Sequence, residues 1–303
     1  MCQVAVVTTG FFDGVHLGHR HVLETVVSSA RERGEEAIVV TFWPHPRTVL
    51  QQDARDFRLL TSIEEKKERL LAAGIDRVEV LPFTREFAAL KADEYLRLLR
   101  KQYGATMVVM GYDNRIGSDH LNAAACAELP DFAHRIDFSV LSCAELPDLA
   151  HGEAVSSTQI RKALEAGDVE RANGMLGYEY ELYGVVVSGN RLGRTIGFPT
   201  ANMQLYEPLK LVPQNGVYAV GVEVLGRQFR GMCNIGLRPT VDGKVRTIET
   251  HILDFEEDIY GLPMRLHFLR RIRDERKFPS LSALKEQLLQ DKQQCYGENR
   301  FHP

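Results

Sequence analysis

The chain has 303 residues, 44% of them hydrophobic and 26% charged, with a net charge of −4. That length favours two domains, the composition excludes a disordered chain, and the charge leaves no general basic footprint, so nucleic acid is not an expected partner. No run approaches the roughly 18 apolar residues that span a bilayer, and MCQVAVVTTG does not read as a secretory leader, so a cytoplasmic protein without a membrane partner is expected.

In the first half, strand-like runs alternate with helical ones: QVAVVTTG, HRHVLETVVSSARERG, EAIVVTF, SIEEKKERLLAAG, VEVLPF, ADEYLRLLRKQYG and TMVVMG. This rhythm predicts an α/β domain, a parallel sheet covered by helices. Ser62 and Glu65 predict a capping box, and Gly34, Gly74 and Gly104 fall where helices end. In STQIRKALEAGDVERANGMLG, Gly167 is a C-cap and Asp168 the next N-cap, closing the first domain. From Tyr183 onward the runs shorten to YGVVVSG, GVYAVGVEV, RQFRGMCNIG, TIETHILDF and MRLHFLRRIR, which predicts an antiparallel sheet or small barrel. Only SLSALKEQLLQDKQQC reads as helix there. Residues 1–183 carry 20 Lys and Arg against 28 Asp and Glu, and residues 184–303 carry 17 against 13. The change of sign supports domains at 1–182 and 183–303, the second suited to a phosphorylated ligand. Cys2, Cys126, Cys143, Cys233 and Cys295 have no CxxC spacing and are expected to be reduced and structural.

TTGFFDGVHLGHRHVL, Thr8 to Leu23, places glycines between the first strand and the first helix, where parallel α/β sheets bind ligands. Gly10, Gly14 and Gly18 permit close backbone approach. The run is not GxGxxG, and GxxxxGK[ST] occurs nowhere, so neither a dinucleotide fingerprint nor a Walker loop is present. His16 and His19 stand together at the positive end of the helix, able to donate to phosphate oxygens, although two surface histidines or a metal pair would also fit the spacing. FDGVHLGH resembles the HxGH signature of the nucleotidylyltransferase superfamily, and GFFDG with VTFWPHP resembles its FMN adenylyltransferase branch. SSTQIR, Ser156 to Arg161, is similar to the second signature of that superfamily. The resemblance implies a Rossmann-like fold, with Gly10, Phe12, Asp13, Gly14, Gly18, Ser156, Ser157 and Thr158 at the nucleotide and His16, His19 and Arg161 stabilising transition-state charge. GYDNRIGSDHLNAA departs from the branch's GxDFRFG. Asp113, Arg115 and Gly117 align, the first two as implied flavin contacts, while Asn114 and Ile116 replace aromatic residues.

In the second half, GNRLGRTIGFPTAN supplies Gly189, Gly193 and Arg194 for phosphate, or a plain turn. Thr200 and Asn202, two apart in an extended segment, offer hard oxygens for Mg²⁺, or a capped turn. Strand alternation puts Glu249 and His251 on one face with Leu253 and Phe255, where Glu249 is either a base or the partner of an arginine such as Arg246. GRTIGFPTAN, NIGLRPT, ETHILDF and IYG resemble flavin kinases, and the two halves together resemble the bacterial bifunctional riboflavin kinase/FAD synthetases. That resemblance implies a β-barrel kinase with a terminal helix, Glu249 as general base, and flavin contacts from Arg273, Glu275, Lys277 and Phe278. It implies riboflavin, FMN and ATP as ligands, Mg²⁺ with the ATP, and no obligatory protein partner. The altered GYDNRIG stretch leaves other readings open: a kinase with a merely binding N-terminal domain, a nonenzymatic flavin sensor, or adenylylation of another acceptor.

Overall fold

Val, Ile and Ala fill the first strands because both faces of their sheet are covered, which rewards unbroken apolar runs over alternating ones. A computed structural model of the chain describes residues 4–50, 57–132, 139–142, 155–189, 192–240 and 243–296. The chain packs as two compact units, Met1–Ser157 and Thr158–Pro303.

In the first unit, β1 (Ala5–Thr9), β2 (Glu36–Trp43), β3 (Arg77–Pro82), β4 (Ala105–Met110) and β5 (Ser139–Ser142) pair in parallel in the order β3-β2-β1-β4-β5. The connecting helices are α1 (Leu17–Arg33), α2 (Pro46–Leu50), α3 (Ile63–Ala72), α4 (Arg85–Ala88), α5 (Ala92–Tyr103) and α6 (Ala123–Ala127). Leu23, Val26 and Ala30 of α1 pack with Leu70 of α3 on Val6 and Val39. On the opposite face, Leu96 and Leu99 of α5 pack on Val7, Ile38 and Val108. The strand order reverses direction between β1 and β4, so the loops leaving these two strands border the crevice where such sheets take ligands. The expected capping box forms, with the Glu65 amide donating to Ser62 Oγ and the Ser62 amide donating to the Glu65 carboxylate.

In the second unit, α7 (Ser157–Glu165) and α8 (Val169–Leu176) precede β6 (Tyr180–Val187), α9 (Leu192–Thr195), β7 (Ala201–Leu205), β8 (Gly216–Val224), β9 (Arg227–Thr240), β10 (Gly243–Ile252), β11 (Pro263–Arg273) and α10 (Leu281–Tyr296). The strands close into an antiparallel barrel in the order β10-β7-β6-β11-β8-β9. Asp168 caps α8 as expected, accepting from the Arg171 amide. Tyr180, Leu182, Tyr218, Val220, Leu266 and Phe268 are all buried, so the barrel interior is a packed core. The hydroxyls of Tyr180 and Tyr218 donate to the carbonyls of Leu211 and Gln214, which satisfies their polar tips.

Helix α10 is fixed to the outside of the barrel by charge as well as by apolar contact. Arg230 and Arg270 donate to the carbonyls of Cys295 and Gln294 at its C-terminal end, where a helix carries unsatisfied acceptors. The fully buried Asp291 carboxylate receives Arg273 at 2.8–3.1 Å and the Gln287 amide at 2.7 Å. Cys126, Cys233 and Cys295 are free and buried, and burial raises their thiols to about 11, 12 and 11, which makes them poor nucleophiles. Cys2 and Cys143 lie outside the described residues. Among the described residues no helix is long and apolar enough to cross a membrane.

Two strands had no counterpart in the sequence runs. β5 is four residues long and mostly exposed, and β7 follows directly on a turn, so neither carries an apolar period of its own. Asp291→Ala leaves the Arg273 guanidinium facing a buried gap and should cost about 3 kcal/mol. Scanning calorimetry of the full chain checks this as a lowered transition, and an unchanged profile would contradict the anchoring role.

Candidate functional sites

The loop after β1 is shaped by a buried carboxylate. Asp13 accepts from the amides of Leu60 and Thr61 at 3.0–3.2 Å and from the Thr61 hydroxyl at 3.3 Å. Thr61 Oγ1 also accepts from the Gly14 amide, and Ser157 Oγ donates to the Asp13 carbonyl at 2.8 Å. Leu60, Thr61 and Ser157 are thus tied to one loop. The loop bends sharply, with positive φ at Phe12, Gly14 and Val15. For a β-branched residue such as Val15 that conformation is strained, a cost of about 1–3 kcal/mol that the surrounding bonds hold in place.

The bend delivers His16 to the N-cap of α1, where its Nδ1 accepts from the His19 amide. With Nδ1 so engaged, a neutral His16 carries its proton on Nε2. The two imidazoles stack at 3.6 Å, and the Phe12 ring meets His19 edge-on at 5.2 Å. Gly18 eases this approach, because a Cβ there would lie 3.2 Å from the His16 ring and 3.3 Å from the Val155 carbonyl, a tight fit. Burial, then the neighbouring His16 and the Lys66 ammonium, hold His19 well below the ordinary imidazole range, and its Nδ1 is buried without a hydrogen-bond partner among the described residues. The site therefore holds a neutral, preorganised imidazole at the positive end of a 17-residue helix. Gly10, Phe12, Asp13, Gly14, His16, Gly18, His19 and Ser157 are brought together, with Ser156 beside them in sequence. Thr158 and Arg161 follow on α7 and belong to the second compact unit.

The loop after β4 reaches the same crevice. Asn114 Nδ2 donates to the Thr9 carbonyl at 2.9 Å, and Ile116 is buried, so the two residues that depart from the aromatic pattern are both built into the loop's packing. Asp113 is exposed, and Arg115 donates to the carbonyls of Tyr112 and Asn114. Thr61, which joins the site from 47 residues beyond Gly14, has no local signal in the chain.

On the barrel, Glu249 stands directly opposite Asn202 on β7 and Asn234 on β9. Directly opposed residues share a face, so carboxylate and two carboxamides form one outward row, continued by Val187 and Val217. Glu249 is half-buried and, among the described residues, makes no hydrogen bond or ion pair. Arg246 does not pair with it; Arg246 donates to Asn215 Oδ1 and to the carbonyls of Val212 and Pro213. His251 Nδ1 lies 2.8 Å from the Pro199 carbonyl, and its ring meets Phe198 at 5.1 Å. Strand β10 ends at Ile252, so the alternation does not extend to Phe255, which turns to line a cleft instead of sharing the Glu249 face.

That cleft, about 440 Å³, opens at one end of the barrel and is lined by Arg194, Thr200, Thr250, Phe255 and Tyr260, with an acidic rim at Glu256–Asp258. Its size is that of a small-molecule site. Gly189 lets the Asn202 side chain approach, since a Cβ would fall 2.1 Å from its Nδ2, and Gly193 closes a turn in which its carbonyl accepts from the Phe198 amide at 2.8 Å. Asn190 and Arg191 of this loop lie outside the described residues. Thr200, Asn202 and the facing Glu249 are hard oxygen donors of the kind Mg²⁺ takes when phosphates complete its shell. Glu275 lies over Gly236, beside the Asn234 amide. Arg273 is engaged by Asp291, and Phe278 lies against the guanidinium groups of Arg273 and Arg276 at 5.6 and 4.9 Å.

A parallel-sheet unit with paired histidines at a helix N-terminus, followed by a barrel with an unpaired carboxylate between two carboxamides, defines a two-site phosphate-transfer protein. Family profiles agree with that class: FAD synthetase matches residues 2–159 and riboflavin kinase residues 176–297. The bifunctional riboflavin kinase/FMN adenylyltransferase of Bacillus subtilis is 38% identical, covering 96% of this chain and 91% of that protein. The protein of the same description from Escherichia coli K12 is 37% identical, covering 94% and 90%. A solved Streptococcus pneumoniae structure described as a macrolide-efflux protein superposes with a TM-score of 0.91 at 33% identity, covering 99% of this chain and 96% of that one. The chain belongs to the family of bifunctional riboflavin kinase/FMN adenylyltransferases.

Two outcomes follow from the geometry. Because folding lowers the His19 pKa, the unfolded chain binds a proton more readily below its ordinary value of about 6.5, so the first unit loses stability as pH falls from there. NMR titration of the His19 ring should accordingly show no midpoint between about pH 6 and 8. Gly189→Ala should displace Asn202 and lower riboflavin phosphorylation by about tenfold or more, while FAD formation from supplied FMN is kept. Product analysis by chromatography measures both.

Proposed function

We propose that this chain carries out two successive reactions, riboflavin to FMN in the residue 183–303 domain and FMN to FAD in the residue 1–182 domain. The observation that carries the reading is the half-buried, unpaired Glu249 carboxylate set between Asn202 and Asn234. A carboxylate without an ion pair, flanked by two carboxamides, is suited to remove a proton from an alcohol.

In the kinase domain, ATP occupies the cleft with its phosphates at Arg194 and the Gly189–Arg194 loop. Riboflavin lies along the outer face, with Glu275 and Phe278 on the flavin side. The ribityl 5′-oxygen attacks the γ-phosphorus, the bond to the β-phosphate oxygen breaks, ADP leaves, and Glu249 takes the hydroxyl proton. Thr200 and Asn202 would hold Mg²⁺, which when bound neutralises phosphate charge. Arg273 acts mainly by fixing α10 behind the flavin face.

In the adenylyltransferase domain, an FMN phosphate oxygen attacks the α-phosphorus of ATP and pyrophosphate leaves. The nucleophile is already anionic, so no base is needed. The work of the site is to meet charge that develops on the phosphates, for which the His16 Nε2–H, neutral His19, the free amides of α1 and the Arg161 guanidinium are suited. Ser156, Ser157 and Thr158 supply hydroxyls and amides at the start of α7. Asp113 and Arg115 border the acceptor end of the crevice.

The test is product analysis with riboflavin, ATP and Mg²⁺. Wild type should give FMN, FAD and pyrophosphate. His19→Ala should stall at FMN, with FAD formation down by about 10²–10³-fold, the scale for removing one preorganised donor. Glu249→Ala should make no FMN from riboflavin yet convert supplied FMN to FAD. Equal loss of both activities in both variants would overturn the division into two sites.

A further inference from the structure

Lys66 is a buried charge that neither reaction has used. It lies one turn into α3 with 3% of its surface exposed, a burial that lysine seldom shows unless it is paired. Among the described residues its ammonium makes no hydrogen bond and no ion pair. The opposite charge that acts on it is the Asp13 carboxylate, whose oxygens already accept from two amides and a hydroxyl. The ammonium also lies close enough to His19 to repel a proton from its ring.

The position of Lys66 follows from the bonds that hold α3 to the first loop. Asp13 grips Leu60 and Thr61 immediately before the Ser62 cap, and the Gly14 amide reaches Thr61, so the first turns of α3 are set against the GFFDG bend. The unsatisfied Nδ1 of His19 and the N-terminus of α1 meet the same region. The Asp13 carboxylate already accepts from two amides and a hydroxyl, so an ammonium without a hydrogen bond stands beside the positive end of a helix, a combination suited to an anion.

We propose that Lys66 is a further phosphate-binding residue of the N-terminal site, its ammonium binding the phosphate chain of ATP in the forward reaction and pyrophosphate in the reverse. The inference rests on the reading of this unit as an adenylyltransferase. In the unliganded chain the ammonium is held near Asp13 without a hydrogen bond, and the anion supplies the acceptors that it lacks. Lysine suits the task, since a compact charge with rotatable donors can follow phosphate oxygens as bonds shift between substrate and product.

The experiment uses the full chain and compares Lys66→Met with Lys66→Arg. FAD synthesis is followed with varied ATP, and the reverse reaction, FAD with pyrophosphate giving FMN and ATP, with varied pyrophosphate. Lys66→Met should raise KM for both ATP and pyrophosphate by about tenfold or more, the scale of one charge-assisted hydrogen bond, with KM for FMN within about twofold. Lys66→Arg should bring both values back to within about threefold of wild type, because charge and donors are retained. The riboflavin kinase rate of the same protein should be unchanged. If Lys66→Met leaves both phosphate KM values unaltered, the proposal is wrong. If Lys66→Met and Lys66→Arg both lose FAD synthesis together with the calorimetric transition of the first unit, Lys66 is a structural counter-charge to Asp13 and the proposal is equally overturned. Failure of wild type to form FAD would instead overturn the adenylyltransferase reading on which the inference stands.

Discussion

The buried Asp13 carboxylate is the constraint on which the first site depends. A charge removed from water must find donors, and this one finds them in the Leu60 and Thr61 amides and the Thr61 hydroxyl, far along the chain. Satisfying it fixes the start of α3 against the loop after β1. The loop in turn holds positive φ at Phe12 and Val15 and sets His16 as the cap of α1. Each histidine is therefore oriented by backbone geometry and not by its own rotamer alone, the preorganisation that electrostatic catalysis of phosphate transfer needs.

The barrel solves the corresponding problem by register. An antiparallel ladder aligns Asn202, Glu249 and Asn234 across three strands, so a carboxylate is flanked by carboxamides with no ion pair between them. The inward positions on these strands are apolar and packed, with Thr250 as an exception near the mouth. Polar chemistry is thereby confined to the outer face and to the cleft at the barrel end. Arg246, a plausible competitor for Glu249 in sequence, is withdrawn by the carbonyls of the 212–213 turn. That withdrawal leaves Glu249 without an ion pair among the described residues.

Where the family's aromatic pattern is broken, the fold has reused the positions. Asn114 ties the loop after β4 to the end of β1, and Ile116 fills the core cluster around α5. The two changes are local: they alter the wall of the crevice while the histidine pair, its cap and the Asp13 network remain intact.

Much of this was legible in the chain itself. The change from long alternating helix and strand runs to short strands specified a parallel sheet followed by an antiparallel barrel, because burial on two faces and on one face leave different periods. The glycine-spaced histidines, the Ser62–Glu65 capping box and the Asp168 cap were local signals that became local structure. What tertiary structure decided was every relation between distant residues. No local rule joins Asp13 to Thr61, Asn234 to Glu249 or Asp291 to Arg273, and none ends β10 at Ile252 so that Phe255 turns into the cleft. The physical reason is that periodicity and capping act over a few residues, whereas buried charge and strand register are settled only when separate segments meet and each polar group must find a partner.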